Sequence, residues 1–507
     1  YSYLPKGLTV ISGAMHDAAT DDAVHVYQTA AIQRFVNGTW SANYTVDDVF
    51  SDYYKAIHDA NFYLENCVGL TFEDWKNSDG FQDTYKSYLN YQHEVRFLRA
   101  YYYFELVKRY GNVPLITKTL DREEANTVSP SSIEDIFKFI IDECTEVADS
   151  LPNKATSLPG ANANMQRISR GVALALKSRA TLYWASPLFN KGNDENRWKA
   201  AAEASNEVIS KASDFGYALD ANYGNLFGAT NNQSVEVIMC RPEGKTTRFE
   251  AANYPMGVKN GKGSTCPSEN LVSAYEMKDG SQFDWNNPAH AADPYSNRDP
   301  RMRMTIVCNG MNWPAKVPVE TFVGGQNGQP LLNATTTGYY LKKYLNNQIT
   351  FETGQTTNKF DHNWVIFRYA EILLNYAEAA CHAYGPAGCK LSALQAVNMV
   401  RARKNVDMPA FPKGMSKADF LTRLENERRV EFAFEGHRFW DLRRWKELQQ
   451  MQDLYKVNIR KKSNGTMIYS KEKLVTYDIS DKLYFYPFSN SELYKNKNLK
   501  QNEGWSE

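Results

Sequence analysis

ERRVEFAFEGHRFWDLRRW, residues Glu427 to Trp445, packs charge and aromatic surface into nineteen positions. Glu427, Glu431 and Glu435 recur at i,i+4, and Arg428, Arg429 and Arg438 each stand within three or four positions of a carboxylate. That spacing predicts a helix with alternating ion pairs on one face, stopped at Gly436, because glycine readily takes the left-handed conformation that closes a helix. Phe432, Phe434, Phe439 and Trp440 have the spacing of packing residues. The segment reads as a structural clasp within a helical scaffold.

Outward from the clasp, the same period returns. Between Gln82 and Tyr110, Tyr91, Val95, Leu98, Tyr102 and Leu106 recur at three- and four-residue steps, predicting an amphipathic helix ended by Gly111 and Pro114. Ser131 to Glu134 reads as a Ser-x-x-Glu capping box ahead of Ile136, Phe137, Ile140 and Ile141, with that helix running out at Leu151-Pro152. Further helices are predicted at Arg170 to Ser186, Trp198 to Ile209, Ile366 to Ala383, Leu391 to Arg403 and Lys417 to Glu435. Antiparallel pairs at intervals of roughly 35 to 40 residues predict a tetratricopeptide-like helix-pair scaffold, over about 45–214 and 361–450. Stacked pairs bury a continuous core and leave a concave face. From about 215 to 360 the period lapses and Gly, Asn, Pro, Thr and isolated aromatics take over. A long irregular stretch that carries Trp and Tyr is expected to be the ligand-binding region. The expected fold is mainly α, a single unit over 1–507, since composition is even and no linker divides it.

Lysine plus arginine and aspartate plus glutamate number 58 each, so nothing suggests an electrostatic grip on nucleic acid or anionic lipid. The 32 Tyr, 25 Phe and 10 Trp exceed what a helical core needs and suit flat ligands with polar rims. No run of about 18 apolar residues occurs, and Tyr1-Ser-Tyr-Leu-Pro lacks the regions of a signal peptide, so the chain as given is expected to be soluble. Seven cysteines are scattered without the paired short spacings of a zinc site. Cys381 and Cys389 flank a Gly-Pro turn where a loop disulfide is sterically conceivable in an oxidising compartment.

Glu427, Glu431 and Glu435 could be read as glycosidase carboxylates. With an arginine in reach of each, however, they would stay ionised, which suits a structural network and spoils a general acid. His16, Asp17, Asp21, Asp22 and His25 crowd one polar stretch that could hold a structural calcium, although the spacing gives no ligand geometry. An exposed loop is expected there, with Asp21, Asp22 or His25 able to face a ligand. No other cofactor is implied. Gly257 to Ser264 superficially resembles a phosphate loop but has three residues between its first two glycines where four are needed. Trp184, Trp198, Trp364, Trp440 and Trp445 sit in or beside helices and read as core. Trp40, Trp75, Trp285 and Trp313 lie in polar, aperiodic surroundings. An aromatic plane stacks on the flat C–H face of a pyranose while polar groups bond its hydroxyl edge. The expected ligand set is therefore Trp285, Trp313, Trp40, Trp75, Asn309, Tyr295 and Asp22.

Four more segments accompany the clasp. They are EVRFLRAYYYFELVKRYGNVP (Glu94 to Pro114), VALALKSRATLYWASPLFN (Val172 to Asn190), the group YEMKDG, NRDPR and TGYYLKK (from Tyr275, Asn297 and Thr337), and FRYAEILLNYAE (Phe367 to Glu378). In order and at plausible separations from about residue 50 to 490, they resemble the SusD/RagB family of surface glycan-binding lipoproteins from Bacteroidetes. The resemblance implies a non-catalytic protein that binds an oligosaccharide and delivers it to a SusC-like TonB-dependent transporter. It also implies a lipid anchor on the extracellular face of the outer membrane. The family's lipidated cysteine is absent from the given residues, so the anchor is expected upstream of Tyr1. Two competing readings are a glycoside hydrolase on a helical scaffold and a helical-repeat adaptor that binds protein on its concave face.

Overall fold

A computed structural model describes residues 1–8, 11, 13–157, 167–351 and 358–505. Helix makes up 44% and strand 11%, so the fold is mainly α, as expected. Among the described residues no helix is long and apolar enough to cross a membrane.

Five long helices follow in succession: α1 Phe50–Asn66, α2 Phe81–Tyr110, α3 Ile133–Ser150, α4 Arg170–Ala185 and α5 Glu195–Ser210. Each packs against the one before it. After the middle region, α6 Tyr369–Tyr384 returns to pack on α5, and α7 Ala393–Arg401 and α8 Lys417–Glu431 then pack on α6. The stack therefore grows by neighbour contacts, with a long excursion between its fifth and sixth members. Val172 to Leu176 of α4 are buried all round, because this helix has neighbours on both sides. The cap of α3 is Ser132 rather than Ser131: its hydroxyl accepts the Asp135 N–H at 3.0 Å, while the Asn112 side chain takes the Ile133 N–H.

The excursion holds two extended strands, Val237–Thr246 and Phe360–Arg368, which pair antiparallel with Val237 opposite Arg368 and Thr246 opposite Phe360. Ile366 to Arg368 finish the second strand, which is why α6 starts at Tyr369 instead of Ile366. The β-rich run from Phe360 to Arg368 satisfies its backbone on Val237–Thr246 before helical geometry takes over. Ala19–Thr20, Ala23–His25 and Thr265–Pro267 form a small sheet, and Asp453–Lys461 pairs with Met467–Thr476 as a hairpin beyond the clasp.

The clasp itself differs from its expected form. The helix ends at Glu431; Phe434 (φ 60°) and Gly436 (φ 75°) are left-handed, and Gly436 precedes the next helix, α9 His437–Arg444. The ion pairs are tertiary rather than along the helix. Glu427 accepts from Arg301 (2.6 Å) and from Arg401, and Glu431 from Arg301 (2.7 Å), Arg368 (2.7 Å) and Arg403 (2.9 Å). Glu435 takes Arg368 (2.7 Å) and Lys343 (2.8 Å). Arg428 turns to Asp441 at 3.3 Å, and Arg429 and Arg438 reach Asp21 at 2.9 Å. Burial alone would raise the Glu431 carboxyl, but Arg368, Arg403 and Arg301 together hold it well below the usual carboxylate range. The network ties the middle region (Arg301, Lys343), the start of α6 (Arg368) and the N-terminal segment (Asp21) to one helix end. It cannot serve as a general acid.

Candidate functional site

Trp285 sits on the stretch leading into a short helix, Pro288–Ala292, whose cap Asn287 accepts the Ala289 N–H and whose first residue is the expected proline. The indole Nε1 donates to Glu269 Oε1 at 2.8 Å. Glu269 is wholly buried and also accepts the hydroxyls of Ser273 (2.6 Å) and Tyr339 (2.5 Å). Burial pushes its carboxyl up, against the pull of those donors. Both of its oxygens are occupied, so Glu269 anchors Trp285 and cannot reach a ligand. Phe283 meets Trp285 edge-on at 5.4 Å and is itself backed by the Arg298 guanidinium at 3.9 Å.

The facing wall is the C-terminal hairpin. Asn270 staples it down, accepting the Tyr455 N–H at 2.7 Å and donating to the Asp453 carbonyl at 2.8 Å. The register sets Ile459 opposite Tyr469 and Val457 opposite Lys471, which puts Tyr455, Tyr469 and Lys471 on one face. Lys471 Nζ lies 4.2 Å from the Tyr455 ring. Trp285, Tyr455 and Tyr469, with Asp284, Asn286 and Ser470, surround an open concavity of about 630 Å³. Aromatic planes beside amide, hydroxyl and carboxylate groups fit a sugar's flat faces and hydroxyl edges. Of the described lining residues only Asp284 carries a carboxylate, so the two-carboxylate arrangement of glycoside hydrolysis is not assembled there.

Three of the expected ligand residues converge here. Trp285 lines the concavity. Tyr295, 5% exposed, meets the Tyr469 ring edge-on at 5.4 Å, and the Asn309 side chain holds the Tyr469 hydroxyl while accepting the Thr321 N–H at 2.9 Å. Tyr295 and Asn309 therefore support the wall from behind, a correction to their expected role as direct contacts. Trp313 is 6% exposed and packs in a second small core with Tyr254, Val307, Val319 and Tyr340. Trp40 is 2% exposed and pinned edge-on by Phe35 (4.6 Å), Tyr486 (4.7 Å) and Trp505 (4.9 Å). Asp22 is fully buried and accepts from Arg429 at 2.6 Å. None of these three can face a ligand, because tertiary packing supplies partners that local polarity does not announce. Trp75 is 66% exposed on the connection from α1 to α2 and does not line the concavity.

The stretch expected to be an exposed loop able to hold calcium is buried instead, with Asp21 and Asp22 committed to arginines. Among the described residues no three metal-ligating side chains cluster. Cys381 and Cys389 are free thiols, not a disulfide. A second cavity of about 440 Å³ lies beneath the N-terminal segment, and two of its cations are matched by its own carboxylates, Lys108 with Glu105 at 2.7 Å and Arg109 with Asp47 at 2.8 Å.

Sequence reasoning missed Tyr455 and Tyr469. Their signal was present: alternating runs on either side of Asn464-Gly465, a strong hairpin mark.

Comparison with known proteins adds relatives to this geometry. A sequence model described as the SusD family matches residues 219–505, and one described as "Starch-binding associating with outer membrane" matches residues 9–182. The SusD-like protein P25 of Formosa agariphila is 23% identical over 425 residues, covering 79% of this chain and 70% of that protein. Among solved structures, a SusD-like protein from Bacteroides fragilis superposes with a TM-score of 0.81 at 27% identity, over 99% of this chain and 95% of that one. A SusD-like carbohydrate-binding protein from the same species gives 0.77 at 23% identity (96% and 92% covered). A laminarin-binding SusD-like protein gives 0.66 at 22% (96% and 93%).

Proposed function

The chain belongs to the SusD family, whose sequence model spans more than half of it, and on that premise we propose that it is a non-catalytic glycan-binding protein of the outer membrane. It captures an oligosaccharide between the Trp285 stretch and the Tyr455–Tyr469 hairpin and delivers it to a SusC-like TonB-dependent transporter. It is held on the extracellular face by a lipid anchor upstream of Tyr1. One observation carries this reading: Trp285 and the hairpin residues Tyr455 and Tyr469, from two distant parts of the chain, line an open concavity with polar groups at its edge and a single carboxylate. Such a site binds a saccharide by stacking and edge hydrogen bonds and lacks the second carboxyl needed to cleave it. The carbohydrate-binding and laminarin-binding relatives, and the outer-membrane description of the matched N-terminal part, support the assignment.

Titration calorimetry against a panel of oligosaccharides tests it. Trp285→Ala and Tyr469→Ala are each expected to weaken binding by about tenfold, on the order of 1.4 kcal/mol, with circular dichroism unchanged. Full affinity in both variants would remove the concavity from consideration. Release of new reducing ends during prolonged incubation would defeat the non-catalytic assignment.

A further inference from the structure

A third basin, about 560 Å³ in volume, opens where the strands Val237–Thr246 and Phe360–Arg368 meet the N-terminal segment. Five permanent cations line it: Lys6, Arg241, Lys245, Arg248 and Lys359. They come from three separate parts of the chain, so their meeting follows from the fold and not from a local charge run. Across the whole chain positive and negative charges are equal, which makes this concentration a local feature.

The cations are not consumed by ion pairs. Among the described residues, no carboxylate lies within ion-pair distance of Lys6, Lys245, Arg248 or Lys359. Arg241 spends its guanidinium on backbone, donating to the Leu4 carbonyl at 2.7 Å and the Ser2 carbonyl at 3.4 Å. His362 is buried at the base of the basin and is matched by Glu250 at 2.8 Å. Among the described residues Glu243 is the one carboxylate lining the basin, and Arg241 and Lys6 are the cations of the basin whose field reaches it. The contrast with the carboxylates of the clasp is direct: there Glu427, Glu431 and Glu435 each have cations in hand, whereas here the cations surround an open space.

A concave surface with one sign of charge focuses field into its opening and concentrates counter-ions of the opposite sign. Charge-assisted bonds to oxyanions are the strongest that Lys and Arg donors make. We infer that this basin is a second binding site, one that takes the anionic substituents of a glycan, sulfate esters or uronate carboxylates. This rests on the glycan reading given above. The bound saccharide would be acidic, with its oxyanions set against Lys245, Arg248 and Lys359 and displacing condensed counter-ions as it docks.

The test uses the full chain and calorimetry with four probes: dextran sulfate oligomers, oligogalacturonate, neutral dextran oligomers and sodium sulfate. The charged oligosaccharides are expected to bind, with affinity falling about tenfold between 50 and 500 mM sodium chloride as the field is screened. The exposed double variant K245E/R248E is expected to lose at least about tenfold in that affinity while its thermal midpoint stays unchanged. The arm that binds, sulfated or carboxylated, identifies the substituent. Equal affinity for charged and neutral oligomers, or unchanged binding by K245E/R248E, overturns the inference. Sodium sulfate binding as tightly as dextran sulfate overturns the saccharide part of it. If Trp285→Ala abolishes binding of every oligosaccharide while K245E/R248E is silent, the glycan function stands and this basin does not. If charged oligomers need Lys245 and Arg248 while Trp285→Ala has no effect, the basin stands and the Trp285 concavity falls.

Discussion

Replacing Arg368 by methionine tests the clasp as the structural knot of the fold. Arg368 is 1% exposed and donates to three carboxylates: Nε to Glu435 at 2.7 Å, and Nη1 to Glu236 at 2.8 Å and Glu431 at 2.7 Å, with Nη2 adding the Glu431 carbonyl at 2.9 Å. Methionine fills much of the same volume against Phe432, over whose ring the guanidinium lies at 4.5 Å, so the main loss is electrostatic. Removing one member of a buried ion pair costs about 3–5 kcal/mol because the other charge is left unpaired. Glu431 keeps Arg301 and Arg403, Glu236 keeps Arg403, and Glu435 keeps Lys343, which places Arg368→Met near about 3 kcal/mol on that scale. Urea unfolding followed by tryptophan fluorescence measures it without added salt. The pH dependence sharpens the test. In the parent, Glu431 is held below its unfolded value, so its contribution is present above about pH 4.5 and is lost as pH falls through the folded value. With Arg368 gone the folded Glu431 carboxyl moves up, so the variant loses less on acidification and the gap should narrow as the pH falls below about 4.5. Adding Glu435→Gln to Arg368→Met should recover about 1–2 kcal/mol, a coupling expected of residues in one network. A cost below about 1 kcal/mol, or a gap that does not change with pH, would refute the reasoning.

Acid sensitivity should be general, because burial would raise Asp441, Glu427 and Glu378 but arginines hold them low, and Glu105 is pulled down to about 2 despite burial. Each contribution is complete above the unfolded value and fades below it, so the urea midpoint should drop steeply from pH 4.5 to pH 3. An unchanged midpoint contradicts this. Of the seven cysteines, Cys67 and Cys389 are half-buried and the others buried. Burial pushes the thiols of Cys240, Cys308 and Cys381 up to about 12. A native thiol titration with a colorimetric disulfide reagent at pH 8 should therefore find two fast groups, and seven only in denaturant. Gly7→Ala would set a Cβ 1.8 Å from the Trp364 ring. It should dislodge the N-terminal segment, seen as faster proteolysis near Lys6, with a stability loss of about 1–3 kcal/mol.

The helices were legible because helical periodicity is local. From Gln82 to Tyr110 the apolar spacing predicts nearly the whole of α2. The end of α8 was not legible: Glu431 to Glu435 keep a helical carboxylate spacing, but Arg368, Arg301 and Lys343 draw those carboxylates outward into a left-handed turn. Trp285-Asn-Asn and Asn309-Gly-Met-Asn-Trp313 read alike as sugar-binding mixtures. One became the wall of a concavity, and the other sank beneath Tyr254 in a small core.

By itself the sequence determined a mainly helical stack, its family signature and the residue types available for stacking on a sugar. Only the tertiary structure decided which aromatics remain open. Trp285 and Tyr455 are distant in the chain and meet because Asn270 staples the hairpin to the segment that carries Glu269. Lys6, Lys245 and Lys359 likewise meet only after strand pairing. Periodicity records which face a residue presents; what covers that face is set by segments far away in the chain, whose packing no local spacing encodes.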